Sequence, residues 1–336
     1  MAQNTTHLTR QRPLGSGFTA ASTADEVLRG IDLSGTNVVV TGGHVGLGLE
    51  TTRALSRAGA SVTVGSRDPD RAASSLTCVE RVEIARLDLL DPTSIDAFAT
   101  RYVASDRPLH ILVNNAGVMG GDLVRDARGY ESQFATNHLG HFQLTRGLLP
   151  ALRAAHGARV VNVSSGGHQL SDIRWDDPHF TTGYEGMLAY GQSKTANVLF
   201  AVELDRRWAD DGIRGYAVHP GIAFGTALGP WITDDELRAM GILDDAGQPI
   251  IDPDRELKTP HQAASTSVFA ATNPRLADVG GVYLKDNDIA PLNDPTPPVA
   301  FGTEPITLPG VAPHAVDPAS ARRLWDLSTR LLQPLR

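Results

Sequence analysis

Short apolar runs alternate with longer helical patterns along the chain. Helical patterns cover 46–58, 92–104, 130–155 and 188–210. Strands rich in Val and Ile that alternate with helices are typical of a parallel sheet with both faces buried. The pattern predicts one α/β domain with a doubly wound, seven-stranded parallel sheet and helices on both faces, the strands lying at 37–43, 61–67, 82–88, 109–117, 158–165, 213–221 and 279–286.

Two segments, 166–187 and 222–278, interrupt this alternation just after strand ends. Ligands of open α/β sheets bind at the carboxyl ends of the strands, so we expect both segments to be lids that border a site. The catalytic domain is predicted to span 35–290. A polar N-terminal extension over 1–34 has a short helix capped by "TADE" at Thr23 to Glu26, and a Pro-rich surface tail with a terminal helix covers 291–336.

Composition and charge narrow the function classes. A net charge of −8 without a basic block argues against nucleic acid or an anionic membrane as the main partner, so we expect a small ligand. The single cysteine, Cys78, excludes an internal disulfide. The sequence lacks the long apolar run that a membrane-spanning helix needs, and a cytoplasmic location is expected.

A glycine-rich stretch, "VVVTGGHVGLGLE" at 38–50, follows the first strand and opens a helix. Gly42 permits a tight turn, Gly46 allows the backbone to approach a pyrophosphate, and Gly48 allows close packing of helix on strand. The helix N-terminus offers N–H donors to phosphate. Its position in the first βαβ unit predicts a Rossmann-type dinucleotide site; a flexible glycine turn is the alternative.

The end of the second strand, "VGSRDPD", indicates which dinucleotide binds. An NAD site requires an acidic residue here, whereas a 2′-phosphate requires Arg and hydroxyl groups. Ser66 stands at the acidic position and Arg67 follows, which favours NADP(H). Asp68 could be the ribose acid in another register, so NAD(H) stays possible. His44 either adds positive charge near the phosphate or is a neutral turn residue.

Seven motifs then occur in one order: "TGGHVGLG", "LD" at 87–88, "NNAG" at 114–117, Asn137 in "FATNHLGHFQLT", "VVNVSS", "YGQSK" at 190–194 and "HPG" at 219–221. This order resembles the short-chain dehydrogenase/reductase superfamily. "RWDDPHF" and "AYGQSKTANVLFAVEL" are similar to its retinol-dehydrogenase and WW-domain-oxidoreductase-like branch, and the C-terminal part is similar to bacterial members. The resemblance covers roughly residues 24 to 330.

The resemblance implies a catalytic set of Asn137, Ser165, Tyr190 and Lys194. Tyr190 would exchange a proton with the substrate oxygen while hydride moves between nicotinamide and carbon, and Lys194 would hold the nicotinamide ribose. Because residues four apart share a helix face, we expect the Lys194 ammonium, with an oxidised nicotinamide, to favour the Tyr190 phenolate. Ser165 would orient the substrate oxygen, with Ser164 packed beneath it. Asn137 would hold a water in a proton relay; a buried helix-bonding side chain is its alternative.

Cofactor contacts follow by position. The residues implied are Gly42, Gly43, His44, Val45, Gly46, Leu47, Gly48, Ser66, Arg67, Asp88, Leu89, Asn115, Ala116, Gly117, Tyr190, Lys194, Pro220, Gly221, Ile222 and Thr226. Asp88 would accept from the adenine amino group, and Pro220 to Ile222 would shape the nicotinamide pocket. Two positions depart from the family pattern. Thr226 lies one residue further from Pro220 than usual, and Val45 replaces a common Ser.

The function expected is an NAD(P)(H)-dependent oxidoreductase of CH–OH and C=O groups, NADPH-preferring, acting on a hydrophobic ketone, aldehyde or secondary alcohol. The two lids hold the apolar residues behind this expectation, although these could equally form an ordinary lid core: Trp175, Phe180, Tyr184, Met187, Leu188, Phe224, Leu228, Trp231, Ile232, Met240 and Leu243.

Other readings are open at this point. A catalytically silent NADP(H)-sensing regulator is the main alternative. A metal pair at His138 and His141 lacks a third ligand, and a serine hydrolase using Ser165 with His168 or His219 lacks the G-x-S-x-G elbow; no metal is expected. Relatives often pair through the helices that hold Asn137 and Tyr190, so a homodimer or homotetramer is possible, unless the leader or the tail blocks that surface.

Overall fold

The computed structural model describes residues 10–223, 232–294 and 310–333. The strands of this part are β1 Asn37–Thr41, β2 Ser61–Ser66, β3 Val82–Arg86, β4 Ile111–Asn114, β5 Ala158–Val163, β6 Ile213–His219, β7 Ile222–Ala223, β8 Leu257–Lys258, β9 Val282–Lys285 and β10 Asp288–Ile289. The helices are α1 Ala24–Val27, α2 Gly46–Arg57, α3 Pro69–Leu76, α4 Pro92–Val103, α5 Ser132–Phe134, α6 His141–Gly147, α7 Leu149–Ala154, α8 Gly186–Trp208, α9 Asp234–Ala239, α10 Pro260–Ala263, α11 Ser265–Thr272 and α12 Pro318–Leu331.

The main sheet runs β3-β2-β1-β4-β5-β6-β9-β10. All pairs from β3 to β9 are parallel, which confirms the predicted seven-stranded parallel sheet. The edge strand β10 pairs antiparallel with β9 and was not predicted, because two residues carry no periodicity. Strand order reverses between β1 and β4, and at such a switch point a crevice opens at the carboxyl ends of the strands.

Alternation along the strands divides the core between the two faces of the sheet. Val38 and Val40 of β1 lie with α11 in one apolar cluster, whereas Val39, between them, lies with Phe98 of α4 in the other. Successive strand side chains point to opposite faces, so a fully apolar run such as "VVV" requires cover on both sides. The doubly wound arrangement supplies that cover.

The helical stretch predicted over 130–155 is present from Ser132 to Ala154, but it is divided into several helices. After α5, residues Ala135–Gly140 form a π-helix, which leads into α6 and then α7. Single π-turns inside helices are rare and often occur at functional sites. Asn137 lies in this π-helical turn.

The later part of the second irregular segment, 222–278, belongs to the domain core. The first half of this segment leaves β6 and contains α9, but α10 and α11 return to the sheet, where Val268 and Phe269 are fully buried. Helix α11, "STSVFAAT", was not predicted from the sequence. It is buried all round, so it lacks the polar face that marks an amphipathic helix. The residues before Pro260 therefore remain the lid candidates.

The first and the last described segments of the chain both pack on the domain. The Gln11 side chain donates to the carbonyls of Tyr283 (2.6 Å) and Ala290 (2.7 Å), and the predicted capping box at Thr23 is present. Helix α12 packs along α8, with Trp325 edge-on to Phe142 and Trp208. The terminal helix is thus a core element that covers part of α8 and α6. No helix in the described ranges is long and apolar enough to span a membrane.

Candidate active site

The glycine-rich loop forms a tight cradle between β1 and α2. Gly42 and Gly46 have φ of +65° and +54°, which side-chain-bearing residues rarely adopt. A Cβ on Gly48 would lie 2.4 Å from the Gly42 carbonyl oxygen and 2.5 Å from Asn115 Nδ2. Val45 precedes the helix without a side-chain cap, so the first N–H groups of α2 have no side-chain partner there. This geometry fits a phosphate at the helix N-terminus.

Thr41 ties the cradle to the neighbouring strand β4. Its Oγ1 accepts hydrogen bonds from the backbone N–H of Asn115 (2.9 Å) and Ala116 (3.0 Å), and Asn115 Nδ2 donates back to the Thr41 carbonyl at 2.9 Å. The predicted residues Asn115, Ala116 and Gly117 therefore border the glycine loop at the switch point. Thr41 was not predicted, although a hydroxyl ending a buried Val run was its signal.

Positive charge gathers at the end of β2. His44 is half-buried, and its Nδ1 has no hydrogen-bond partner. Burial lowers the His44 pKa, and nearby Arg71 and Arg67 lower it further, against Asp68, which raises it. Asp68 itself caps α3 by accepting from the Arg71 N–H at 3.0 Å. Arg71 was not predicted, because Arg67 lies before the N-cap Asp68 and only Arg71 is on the helix, so no helical spacing links the two.

Tyr190 and Ser165 lie together at the start of α8 and the end of β5. The Ser165 side chain hydrogen-bonds Tyr190, and the Tyr190 ring packs on Gly167, where a Cβ would lie 2.8 Å from Cε1. Burial raises the pKa of Tyr190 to about 12, and the Ser165 hydrogen bond only partly opposes this shift. The sequence-based expectation concerned Tyr190 beside the Lys194 ammonium and an oxidised nicotinamide; burial of the phenol acts in the opposite direction.

Lys194 lies one helical turn after Tyr190, beneath the strand ends. Its Nζ donates to the Val163 carbonyl at 3.0 Å and lies 5.5 Å from the centre of the Tyr190 ring. Burial lowers the pKa of Lys194 to about 8. Ser164, as expected, is buried beneath the site and donates to the Lys194 carbonyl at 2.8 Å.

Asn137 fixes the loop after β4. Its Oδ1 accepts from the Val118 N–H, and its Nδ2 donates to the Val118 carbonyl and to Ser193 Oγ, each at 2.9 Å. A Cβ on Gly117 would lie 3.2 Å from Asn137 Oδ1 and 3.5 Å from Lys194 Nζ. The π-turn thus brings Asn137 to the same point as Lys194, with Ser193 as a contact that the sequence did not reveal.

The four predicted catalytic residues therefore meet at one place, beside the cradle. Pro220 and Gly221 follow β6 at the same edge, with Ile222 beginning β7. Leu89 is buried, and Asp88 is half-buried and accepts from the Leu90 N–H at 3.0 Å. Thr226 lies outside the described residues, as do Phe224, Leu228 and Trp231.

The histidines named in the alternative readings have other partners. His138 Nε2 bonds Ser328 Oγ at 2.7 Å, and His141 Nε2 bonds Thr41 Oγ1 at 2.9 Å. Within the described ranges, no three His, Cys, Asp or Glu side chains gather as a metal site. His168 bonds the Ser165 backbone carbonyl at 2.6 Å, and His219 bonds the Gly166 N–H at 3.1 Å. In this arrangement both rings bond to backbone groups rather than to the Ser165 hydroxyl.

Comparison with known proteins decides the family. Residues 36–236 match the family model described as "short chain dehydrogenase". The chain belongs to the short-chain dehydrogenase family. It is 44% identical over 303 residues to a "Probable oxidoreductase" of Streptomyces lividans, covering 88% of this chain and 97% of that protein. It is 36% identical over 308 residues to "Retinol dehydrogenase 12" of Mus musculus, covering 90% and 88%.

Among solved structures, an uncharacterized protein from Mycobacterium paratuberculosis matches with a TM-score of 0.67 and 31% identity, covering 94% of this chain and 97% of that one. The short-chain dehydrogenase is therefore a single-domain Rossmann-like oxidoreductase acting on CH–OH or C=O groups, on the retinol-dehydrogenase-like branch.

Proposed function

We propose that this protein is an NADPH-preferring reductase of hydrophobic ketones or aldehydes, with Tyr190 as the general acid and base. The observation that carries the proposal is the Tyr190 hydroxyl. It is buried and bonded to Ser165, and it is protonated at neutral pH as an unperturbed phenol is; burial raises its pKa further, to about 12. It lies beside a glycine cradle whose open helix N-terminus suits a dinucleotide phosphate.

The residues divide the chemistry as follows. A bound nicotinamide supplies hydride to the carbonyl carbon, or accepts it in reverse. Ser165 holds the carbonyl oxygen, and Tyr190 donates its proton to that oxygen as the C–O double bond is reduced. Lys194 binds the nicotinamide ribose and offers positive charge to the ring of the resulting phenolate. Asn137 holds the Val118 backbone and lies with Gly117 next to Lys194. A water relay beside Asn137 and Lys194 returns the proton to Tyr190.

Cofactor preference rests on the two guanidinium groups of Arg67 and Arg71, beside which His44 is neutral because burial and the two arginines lower its pKa. The Asp68 carboxylate caps α3, which supports the register in which Ser66 and Arg67 face the ribose. We expect Arg67→Ala to weaken NADPH binding by about 10- to 100-fold, the value of one charge-assisted contact, and to leave NADH binding nearly unchanged. Fluorescence titration with both cofactors measures this. An equal loss for NADH, or no loss for NADPH, would show that Arg67 does not read the 2′-phosphate.

The Lys194 pKa of about 8 gives the reduction a pH dependence. As pH rises above 8 the ammonium deprotonates, and the charge that supports the Tyr190 phenolate is lost. We expect kcat/KM for reduction to fall about tenfold per pH unit above that point. Steady-state rates over a buffered pH series measure the limb. Lys194→Arg keeps its charge there, so its residual activity should lack the limb; a wild-type profile that stays flat would contradict this role.

The proposed hydrophobic substrate class was based on the apolar residues of the two lids. In the structure, several of these residues are not available to line a pocket. Phe180 and Leu243 are buried, and Arg323 lies over Trp175 with its guanidinium 4.3 Å from the ring centre. These side chains pack internally. Val118, Leu123 and Val124 instead expose apolar surface in the loop after β4, next to the site. The test is the rate of NADPH oxidation with a panel of carbonyl compounds. Polycyclic and long-chain compounds should react faster than small hydrophilic ones, and the reverse order would contradict the proposed substrate class.

A homodimer or homotetramer that forms through the helices holding Asn137 and Tyr190, as predicted, would use the surface of α6 and α8. Helix α12 already packs there, with Trp325 between Phe142 and Trp208. We propose that any oligomer of this chain uses a different surface.

A further inference from the structure

Next to Gly166, the residue after Ser165, lies a buried group of ionisable residues that the proposed chemistry does not use. His219 ends β6 and Lys285 ends β9, and the two are register partners on adjacent parallel strands. Glu256 reaches between them from the end of the irregular segment. Its Oε2 lies 2.8 Å from His219 Nε2, and its Oε1 bonds Lys285 Nζ.

Glu256 is held there at a cost. It is 5% exposed, and its φ of +66° lies in the left-handed region. Burial alone would raise the pKa of Glu256, but His219 and Lys285 together hold it at about 2. An unusual backbone and a buried charge persist only where the surroundings require them, and they cluster at functional sites.

The hydrogen bonds determine the His219 tautomer. Its Nδ1 accepts the Gly166 N–H at 3.1 Å and lies 3.4 Å from the Gly221 nitrogen, so Nδ1 carries no proton. The ring hydrogen is therefore on Nε2 and is donated to Glu256. The identity of the acceptor at Glu256 thus decides whether the far side of the imidazole can accept the Gly166 N–H.

Gly166 directly follows Ser165. The Ser165 carbonyl is held from the other side by His168 Nδ1 at 2.6 Å and by the Tyr283 hydroxyl at 3.4 Å. The Ser165 hydroxyl bonds the Gly167 N–H at 3.1 Å. The direction of that hydroxyl therefore depends on where the Gly166 peptide is fixed. The Glu256 backbone carbonyl accepts the Ile222 N–H at 2.7 Å, so the Glu256 main chain closes the loop that leaves β6.

We infer that Glu256, oriented by Lys285, is a positioning residue that sets the His219 tautomer and, through Gly166, the Ser165 hydroxyl. This inference rests on the proposed role of Ser165 in carbonyl reduction. It assigns to the base of the second irregular segment the task of aligning the site at the end of β5.

Glu256→Gln tests the tautomer argument because it is isosteric. Its amide NH₂ cannot face the Lys285 ammonium, so its oxygen must, which turns the NH₂ toward His219. Nε2 must then accept, and the proton moves to Nδ1, facing the Gly166 N–H. Adding Lys285→Met frees the Gln oxygen to face His219 and restores the first tautomer. A structural loss would not be rescued by a second substitution of this kind.

The experiment has two readouts. With NADPH and phenanthrenequinone as the hydrophobic carbonyl probe, Glu256→Gln should lower kcat by about tenfold, and Lys285→Met in the same chain should restore it to within about threefold. Histidine ¹⁵N shifts, assigned by a His219→Gln spectrum, should show the proton on Nε2 in the wild type and on Nδ1 in Glu256→Gln. An unchanged tautomer, or no rescue in the double variant, would overturn the inference.

Two controls separate this inference from the proposed function. Glu203 is a buried carboxylate that pairs with Arg206 and Arg207, about 20 Å along α8 from Tyr190 at 1.5 Å per residue. Glu203→Gln should leave kcat unchanged. A loss as large as that of Glu256→Gln would show that losing any buried ion pair has this effect, and it would overturn the inference.

The second control uses a Ser165→Ala background. There, Glu256→Gln should lower kcat by less than about twofold, because both substitutions act through one hydroxyl; an additive loss would likewise overturn the inference. If Ser165→Ala alone keeps wild-type kcat, the proposed function fails while the tautomer result stands.

Discussion

Tyr190→Phe should lower kcat for carbonyl reduction by roughly 10²- to 10⁴-fold, the range that a positioned general acid contributes. The substitution removes only the hydroxyl that bonds Ser165. The ring keeps its packing on Gly167 and its position 5.5 Å from Lys194 Nζ. NADPH affinity should therefore stay within about twofold, because the glycine cradle and the Arg67 cluster are untouched. Steady-state turnover and fluorescence titration on the same preparation measure both.

Tyr216→Phe is the matched control. Tyr216 is also a buried tyrosine with a raised pKa, and its hydroxyl donates to the carbonyl of Leu276, in the helical turn before β9, at 2.7 Å. Its removal should cost stability but leave kcat near the wild-type value. If Tyr190→Phe kept full turnover, Tyr190 would not be the proton donor. If the wild type bound NADPH tightly but reduced no carbonyl, the result would favour a catalytically silent NADP(H) sensor over an enzyme.

Gly48→Ala should weaken NADPH binding by at least about 100-fold, or 2.7 kcal/mol. The new methyl group would lie 2.4 Å from the Gly42 carbonyl oxygen and 2.5 Å from Asn115 Nδ2. Backbone cannot give way at such distances without moving α2 from β1, and that movement displaces the N–H groups that suit a pyrophosphate. Isothermal titration with NADPH measures the affinity, and thermal unfolding reports whether the fold is kept.

Arg53→Ala, on the same helix but with a side chain 39% exposed, provides the control for Gly48→Ala. It should leave the NADPH affinity unchanged. A Gly48→Ala protein that binds NADPH like the wild type would show that the close approach of α2 to β1 is not part of the cofactor site.

The fold was largely predictable because its strands are buried on both faces. Runs such as "VVVT" and "ILVN" are too apolar for a one-sided sheet, and their alternation with helices leaves few other topologies. What escaped prediction has local causes. The π-turn at Asn137 has no sequence period of its own, and α11 is buried all round, so neither carries the amphipathic signal that marks a helix.

The candidate site divides in the same way. Asn137, Ser165, Tyr190 and Lys194 come together as the motif order implied, since each follows or begins an element at the switch-point edge. The direction of the Tyr190 pKa shift could not be predicted from spacing alone. Four residues along a helix place Lys194 near Tyr190, but they do not reveal that the phenol is buried and that this burial raises its pKa. Glu256 and Arg71 could not be identified from the sequence, because tertiary contacts bring them to the site and local sequence patterns do not reveal such contacts.

The central claim is that this protein transfers hydride from NADPH to a carbonyl carbon while Tyr190 protonates the oxygen. The most direct measurement uses NADPH carrying deuterium at both C4 positions, with a hydrophobic ketone taken from the carbonyl panel, and mass spectrometry of the alcohol formed. We expect the wild type to form alcohol with one deuterium on the carbinol carbon, and we expect this product to be nearly absent with Tyr190→Phe. Alcohol without deuterium, or equal labelled product from Tyr190→Phe, would contradict it.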